Sequence, residues 1–367
     1  MSLSVGIVGL PNVGKSTLFN ALSSKQAEAA NYPFCTIDPN VGVVPVPDPR
    51  FDAIVGVIDP DSRVPATVDF VDIAGLVRGA SRGEGKGNAF LAHIRDCSAI
   101  AHVVRCFEDP NIVHVDGRVD PIADIDTINT ELILKDLETV QKRLERARRA
   151  AKGGDAMERA AVSVCERLEA GLDKGTRAAL LPVEDEREKQ VLRDLQLITQ
   201  KPMFYVANVR EEQLTALDRD PLVAKVRARA EAEHTVAEVV CAAIEAEIMQ
   251  LAPGERAEFL QSVGLTEPTL NQVIRTGYRM LEMITFFTAG KKEVRAWTIQ
   301  RGDKAPQAAG KIHTDFERGF IKAEVIFWED LIALRTEAAC KSAGKMSTEG
   351  KDYVVRDGDV MHFRFNV

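Results

Sequence analysis

The segment Gly9-Leu10-Pro11-Asn12-Val13-Gly14-Lys15-Ser16-Thr17 follows directly on the apolar run Val5-Gly6-Ile7-Val8. It reads G-x-x-x-x-G-K-[ST] in the setting that gives the pattern meaning: a short buried strand, a loop, then a helical stretch over Leu18–Leu22. Gly9 and Gly14 let the backbone bend so that successive N–H groups turn inward toward phosphate oxygens. The helix that follows adds its positive end. Lys15 supplies a point charge for β- and γ-phosphates, and the Ser16 hydroxyl is placed to ligate magnesium. The nucleotide contacts expected from this loop are Asn12, Val13, Gly14, Lys15, Ser16 and Thr17, with Lys15 also serving as the catalytic cation.

A chain of 367 residues suits two or three domains, and 45 % hydrophobic content allows a sizeable core. The net charge of −8 argues against a surface that is basic throughout, though not against a local basic face. The six cysteines are scattered without a C-x-x-C pair, so neither a zinc site nor a disulfide framework is expected, and a reducing cytoplasm is the natural compartment. The first apolar run ends in the phosphate loop, which is unlike a signal peptide. No apolar stretch approaches membrane-spanning length.

Apolar runs predict strands at Ser4–Val8, Val43–Pro47, Thr67–Asp72, Ala99–Cys106, Met203–Ala207 and Ala237–Cys241. They alternate with helical segments, as in a doubly wound, mainly parallel sheet covered on both faces. Between the strands near 103 and 205 the chain is mostly helical. Ile133, Leu137, Val140, Leu144 and Ala147 recur at spacings of four and three, and Met157, Ala161, Val164 and Leu168 repeat the pattern after Gly153-Gly154. This predicts an antiparallel coiled-coil hairpin, inserted at about residues 128–200 of a nucleotide domain spanning 1–280. Val191, Leu195 and Ile198 continue a helix back to the sheet. The hairpin carries a basic stretch, Lys142, Arg143, Arg146, Arg148, Arg149 and Lys152, which is either a solvated helix face or an RNA-contacting arm. Residues 281–367 read as a small α+β domain, with short strands at Thr285–Thr288, Val294–Ile299, Lys322–Ile326 and Val360–Phe365 and one helix at Pro306–His313.

Asp72-Ile73-Ala74-Gly75 is D-x-x-G at a strand end. Asp72 can reach a magnesium shell through water, and the Gly75 N–H can face a γ-phosphate. Thr36 lies in a loop between the two motifs, where its hydroxyl can complete the magnesium shell. Together these make segments held only while a γ-phosphate is present. Leu76 stands where many GTPases use a water-orienting glutamine, so hydrolysis must be slow or use another group or partner. His114 is the candidate water-positioning residue, its alternative being an ordinary packing histidine. The Asn12 carbonyl is a candidate to help hold a potassium ion.

The base-reading segment is Asn208-Val209-Arg210-Glu211. A guanine-specific site uses N-K-x-D, whose aspartate pairs with guanine N1–H and N2–H₂. Glu211 is one methylene too long, and Val209 replaces the lysine that packs along the base. Breaking such pairing leaves buried polar groups unsatisfied at about 1–3 kcal/mol each. Asn208 is expected to meet the N7/N6 edge of adenine and the Val209 backbone to serve N1, so ATP is expected over GTP.

These motifs together resemble the Obg-like ATPases, in particular the YchF subfamily. The likeness also covers Tyr32–Asn40, the stretch Arg78–Asn88, Phe90–Arg95, and, in the last domain, Ala309–Phe316 with Gly319–Ile321, which resemble a ubiquitin-like β-grasp (TGS) module. The resemblance implies a P-loop NTPase of the translation-factor class with relaxed base specificity favouring ATP. It also implies magnesium dependence with Ser16 and Thr36 as ligands, and association with the ribosome, through its large subunit. RNA contacts are expected through the hairpin and the last domain, where Lys341, Lys345 and Lys351 lie close in sequence. A monomer with no membrane partner is expected. Two other readings remain: a GTPase on the same fold, and a ribosome- or RNA-binding adaptor whose nucleotide is mainly structural.

Overall fold

The computed structural model describes residues 3–28, 40–73, 87–114, 117–252 and 254–366. In chain order the strands and helices begin with β1 (Ser4–Val8), α1 (Lys15–Glu28), β2 (Val41–Pro45), α2 (Pro49–Ile58), β3 (Ser62–Val64), β4 (Thr67–Asp72), α3 (Gly87–Asp96) and β5 (Ala99–Arg105). Then come α4 (Pro121–Ala150), α5 (Ala156–Leu172), α6 (Glu186–Leu195), β6 (Met203–Asn208), α7 (Pro221–Ala232), β7 (Ala237–Val240), α8 (Ala242–Ile248), α9 (Arg256–Ser262) and α10 (Leu270–Met280). The remainder is β8 (Met283–Ala289), β9 (Glu293–Gln300), α11 (Ala305–Ile312), α12 (Thr314–Arg318), β10 (Phe320–Phe327), α13 (Trp328–Leu334), α14 (Glu337–Ser342), β11 (Met346–Glu349) and β12 (Asp359–Phe365).

The first sheet runs β2-β4-β1-β5-β6-β7, with β1 parallel to β4 and β5, and β6 parallel to β5 and β7. Every residue of β1, β5 and β6 is buried, which is why these strands read as mainly apolar runs rather than alternating ones. Their C-terminal ends lead into the phosphate loop, the 106–114 loop and the 209–213 segment. Such ends are where open α/β sheets place their ligands.

The helical insertion forms along the predicted seam, except that Met157, read as a seam position, is exposed at the start of α5. Asp120 caps α4 by accepting from Ala123 N at 3.3 Å, Pro121 sits at the first helical position, and the helix runs 30 residues. A left-handed Gly154 (φ 86°) and the Asp155 cap on Met157 N reverse the chain into α5. The seam closes on Ile133, Val140, Leu144 and Ala147 from α4 and Ala161, Val164, Cys165 and Leu168 from α5, with Val191 and Leu192 of α6 completing the cluster. Helix α6 stops at Leu195, where Gln196 turns left-handed (φ 47°), and Ile198 falls in a short 3₁₀ turn rather than in a continued helix. Within the basic stretch, Arg143 makes a bidentate pair with Glu158 (2.7 and 3.0 Å), Arg148 meets Glu166 at 2.9 Å and Arg149 meets Glu145 at 3.3 Å. Arg143 and Arg148 therefore staple the two helices together, Arg149 pairs within α4, and Lys142, Arg146 and Lys152 are the exposed remainder.

The second sheet runs β11-β10-β12-β8-β9-β3. Its first and last long strands, β8 and β12, are parallel neighbours, and the hairpin partner β9 is antiparallel to β8, the order of a β-grasp module. Helix α11 turns Ala305, Ala308 and Ala309 onto Phe286, Ile299 and Phe363. The small residues let the helix lie close to the sheet. The one expected helix in this region becomes four, because α12, α13 and α14 are too short to carry a periodic signal.

The chain divides into two compact units, one built on Asp69–Val273 with the segment up to Ser24, the other on Val43–Val68 with Ile274–Val367. This division groups Val43–Val68 with the second unit, whereas the sequence reading puts that segment in the nucleotide domain. Three interactions hold this segment in the second unit: β3 pairs in parallel with β9, Arg50 reaches Asp357 at 2.9 Å, and Phe51 stacks on Phe287 at 6.4 Å. Among the described residues no helix is long and apolar enough to cross a membrane.

Candidate nucleotide site

The loop after β1 has the shape its glycines permit. A β-carbon on Gly9 would fall 2.7 Å from the carbonyl oxygen of Val103, so only glycine allows the loop to pass β5. Asn12 (φ 64°) and Gly14 (φ 91°) are both left-handed, which turns the main chain into a cradle before α1 begins at Lys15. The first N–H groups of α1 have no partner within the helix and face the loop. Lys15 is buried, and its Nζ is ion-paired with the carboxylate of Asp72 at the end of β4. Ser16 and Thr17 are exposed in the first helical turn. The predicted phosphate and metal groups Lys15, Ser16 and Asp72 are thus set by two neighbouring parallel strands. A hydroxyl and a carboxylate oxygen beside an amide-lined cradle suit a magnesium triphosphate. Thr36, Gly75 and the rest of the two candidate switch segments lie outside the described residues.

Next to the cradle is a cleft of about 370 Å³, lined among others by Gly14, Thr17, Phe107, Ile112, Asn208 and Glu211. The predicted base-reading residues do converge here, but two of their expected roles change. Asn208 donates Nδ2 to the Val13 carbonyl at 2.9 Å and accepts from Ala242 N at 3.1 Å through Oδ1. Its amide is first a clamp between the phosphate loop and the β7–α8 junction. One N–H and one lone pair are left for a base. The Val209 N–H is hydrogen-bonded to Val240 O at 2.9 Å in the strand ladder, so it does not serve N1, and the Val209 side chain is buried.

Three further residues, Arg210, Asp109 and Gln213, meet at the mouth of this cleft. Arg210 Nη2 reaches Asp109 at 2.7 Å, while the Arg210 N–H donates to Gln213 Oε1 at 2.8 Å. Gln213 in turn donates Nε2 to the Cys106 carbonyl at 2.9 Å. The loop after β5 and the segment after β6 are therefore sewn together across the cleft. The one signal for this is the position of Phe107–Asp109 directly after a central strand.

His114 is buried, and its Nε2 lies 3.0 Å from Asp124 Oδ2 in the first turn of α4. Its neighbour Val113 accepts a hydrogen bond from Asn12 Nδ2 at 3.1 Å. The histidine segment thus sits against the phosphate loop, and its ring is held by a carboxylate that no sequence motif announces. A larger cleft of about 730 Å³ opens among Arg95, Arg193 and Lys201. It lies where β5 and β6 begin, the wrong end of the sheet for a nucleotide.

Comparison with known proteins follows the same outline. The family described as "50S ribosome-binding GTPase" matches residues 4–146, and YchF-GTPase_C, described as "Protein of unknown function (DUF933)", matches residues 283–366. The chain is 54 % identical to the ribosome-binding ATPase YchF of Haemophilus influenzae and 52 % identical to that of Bacillus subtilis, over the full length of all three. It is 44 % identical to Obg-like ATPase 1 of Pongo abelii, over all of this chain and 93 % of that one. The solved structure of the Schizosaccharomyces pombe YchF GTPase superposes with a TM-score of 0.88 at 40 % identity, covering 99 % of this chain and 98 % of that one.

Proposed function

The chain belongs to the YchF group of the Obg-like ATPases, and from that premise we propose that it is a magnesium-dependent, ATP-hydrolysing switch that binds the ribosome. The observation that carries the base assignment is the cleft at Asn208. The phosphate loop and a purine pocket are clamped together there, while the pocket lacks the lysine and aspartate that read guanine.

The loop amides and Lys15 bind the phosphates. Because Lys15 is already paired with Asp72, a triphosphate competes with that carboxylate for one ammonium group. Asp72 is then released toward the metal shell. Ser16, Thr36 and, through water, Asp72 would hold a magnesium ion, which supplies charge neutralisation on the phosphates. The Val209 carbonyl accepts from the adenine amino group, and Glu211 lines the outer wall. His114 is the group that orders the attacking water. Its link to Asp124 fixes the ring, and the Asn12–Val113 bond holds its segment at the cradle. Asn12 also offers its amide oxygen to a potassium ion, which a comparison of turnover in potassium and sodium salts tests.

The large ribosomal subunit and RNA are the partners of the hairpin, through the exposed Lys142, Arg146 and Lys152. In the second unit Lys345 is paired with Asp330 at 3.1 Å, so an RNA phosphate there competes with that carboxylate. The protein acts as a cytoplasmic monomer. ATP turnover by His114→Ala tests the water-positioning role. Turnover falls by about 100-fold with nucleotide affinity retained if the reading is right. Unchanged turnover returns His114 to a packing role.

The competing reading is hydrolysis of GTP, the activity that the fission-yeast relative carries in its name. ATP and GTP titrated against each other decide between the two.

A further inference from the structure

Arg105 ends β5 and is 1 % exposed, one of the largest fully buried side chains among the described residues. Its hydrogen bonds run to main-chain carbonyls: Nε to Phe107 at 3.0 Å, Nη1 to Ile112 at 3.0 Å and Nη2 to Asp109 at 3.4 Å. The guanidinium carbon also lies 4.7 Å from the centre of the Phe107 ring. Burying a permanent cation among neutral acceptors is costly, and a fold retains it where the fork geometry fixes something a simpler residue would not.

What it fixes is one loop with two functional ends. At the near end Phe107, Asp109 and Ile112 line the base cleft, and Asp109 bridges to Arg210 across its mouth. At the far end, one residue past the Ile112 carbonyl, Val113 takes the Asn12 bond from the phosphate loop, and His114 follows. Asp109 itself accepts from Asn111 N at 2.8 Å, so the loop is stiff between its anchors. A planar fork gripping three carbonyls ties the loop's near end to its far end.

We infer that Arg105 is a positioning residue that couples occupancy of the purine pocket to the placement of His114 at the phosphates, so that the base controls the hydrolysis rate as well as affinity. This rests on the proposed assignment of the site as an adenine-nucleotide hydrolase.

The test uses the full chain. Turnover of ATP and GTP is measured for the parent and for Arg105→Lys, whose single ammonium cannot span three carbonyls. The expected result is that kcat for ATP drops about 10-fold or more while kcat for GTP changes little, so the two nucleotides converge. A merely structural role lowers both in proportion. That result, or a variant that keeps the parent's ATP kcat, overturns the inference.

Amide exchange of the parent supplies the arm that needs no variant. ADP is expected to slow exchange over residues 108–114 about 5-fold more than pyrophosphate, which fills the phosphate loop without a base. Equal slowing overturns the coupling. A parent that hydrolyses no ATP contradicts the functional assignment instead, and the exchange comparison still decides the role of Arg105.

Discussion

A β-carbon on Gly14 would fall 2.1 Å from Nδ2 of Asn208, the same amide nitrogen that donates to the carbonyl of Val13 at 2.9 Å. Residues 194 positions apart thus form one junction between the phosphate loop and the end of β6. Gly14 is there for two reasons, its left-handed φ of 91° and the absence of a side chain.

Gly14→Ala meets both penalties at once. The loop must flatten or Asn208 must leave, and either dismantles the cradle. Nucleotide affinity is expected to fall by about 100-fold or more, the equivalent of roughly 3 kcal/mol, in a fluorescent-nucleotide titration. Affinity within a factor of two of the parent would show that the junction is not needed.

Asn208→Ala removes the clamp without strain. The Val13 carbonyl and the Ala242 N–H each lose a buried partner, so stability is expected to drop by about 1–3 kcal/mol in urea unfolding. ATP binding should weaken as well, since the loop is no longer tied to β6. A stable variant with normal ATP affinity contradicts the role given to Asn208.

Legibility followed chemistry with strict local rules. The strands Ser4–Val8 and Thr67–Asp72 coincide with their sequence assignments, the first because a wholly buried strand that runs into a phosphate loop leaves few alternatives. The hairpin seam is legible for the same reason. Strands β3 and β11 escape sequence reasoning, since three or four largely polar residues at a sheet edge carry no period. Helix α2 escapes it too, although Asp48-Pro49 announces a helix start: Asp48 caps Arg50 N at 3.0 Å. In the site, motifs give Lys15, Ser16 and Asp72, and also the position of Asn208, though not its use of both amide ends. Arg105, Asp109, Asp124 and Gln213 are invisible in the sequence, because their roles arise from loops that meet only after the sheet forms.

Burial, with the Arg177 and Arg229 charges behind it, pushes the His102 imidazole down to about 3. The unfolded chain holds that proton near the ordinary value of about 6.5. Because the folded pKa is the lower one, unfolding takes up a proton below pH 6.5, and stability falls as pH drops toward 3. Between pH 7.5 and 5.5 this one residue accounts for about 1.4 kcal/mol. Urea unfolding at the two pH values should show that loss in the parent, and His102→Gln should remove it. An identical pH dependence in both proteins argues against a neutral, buried His102.

Charge reversal at Lys142, Arg146 and Lys152 spares the ion pairs that staple the hairpin. Co-sedimentation with ribosomes is expected to weaken and to depend less steeply on salt, by roughly one unit of log–log slope for each phosphate no longer neutralised. Arg143→Glu is the structural control, because Arg143 pairs with Glu158 and its loss loosens α4 from α5. Binding that survives the triple reversal would place the RNA contacts elsewhere.

The central claim is that an amide cradle around Lys15 and the Asn208 cleft select and hydrolyse an adenine nucleotide. Its most direct measurement is turnover of ATP and GTP by the full chain with magnesium, alone and in competition, beside Lys15→Ala. ATP turnover is expected to be inhibited only weakly by GTP, and to fall at least about 100-fold in Lys15→Ala. Preference for GTP, or turnover untouched by the loss of Lys15, contradicts it.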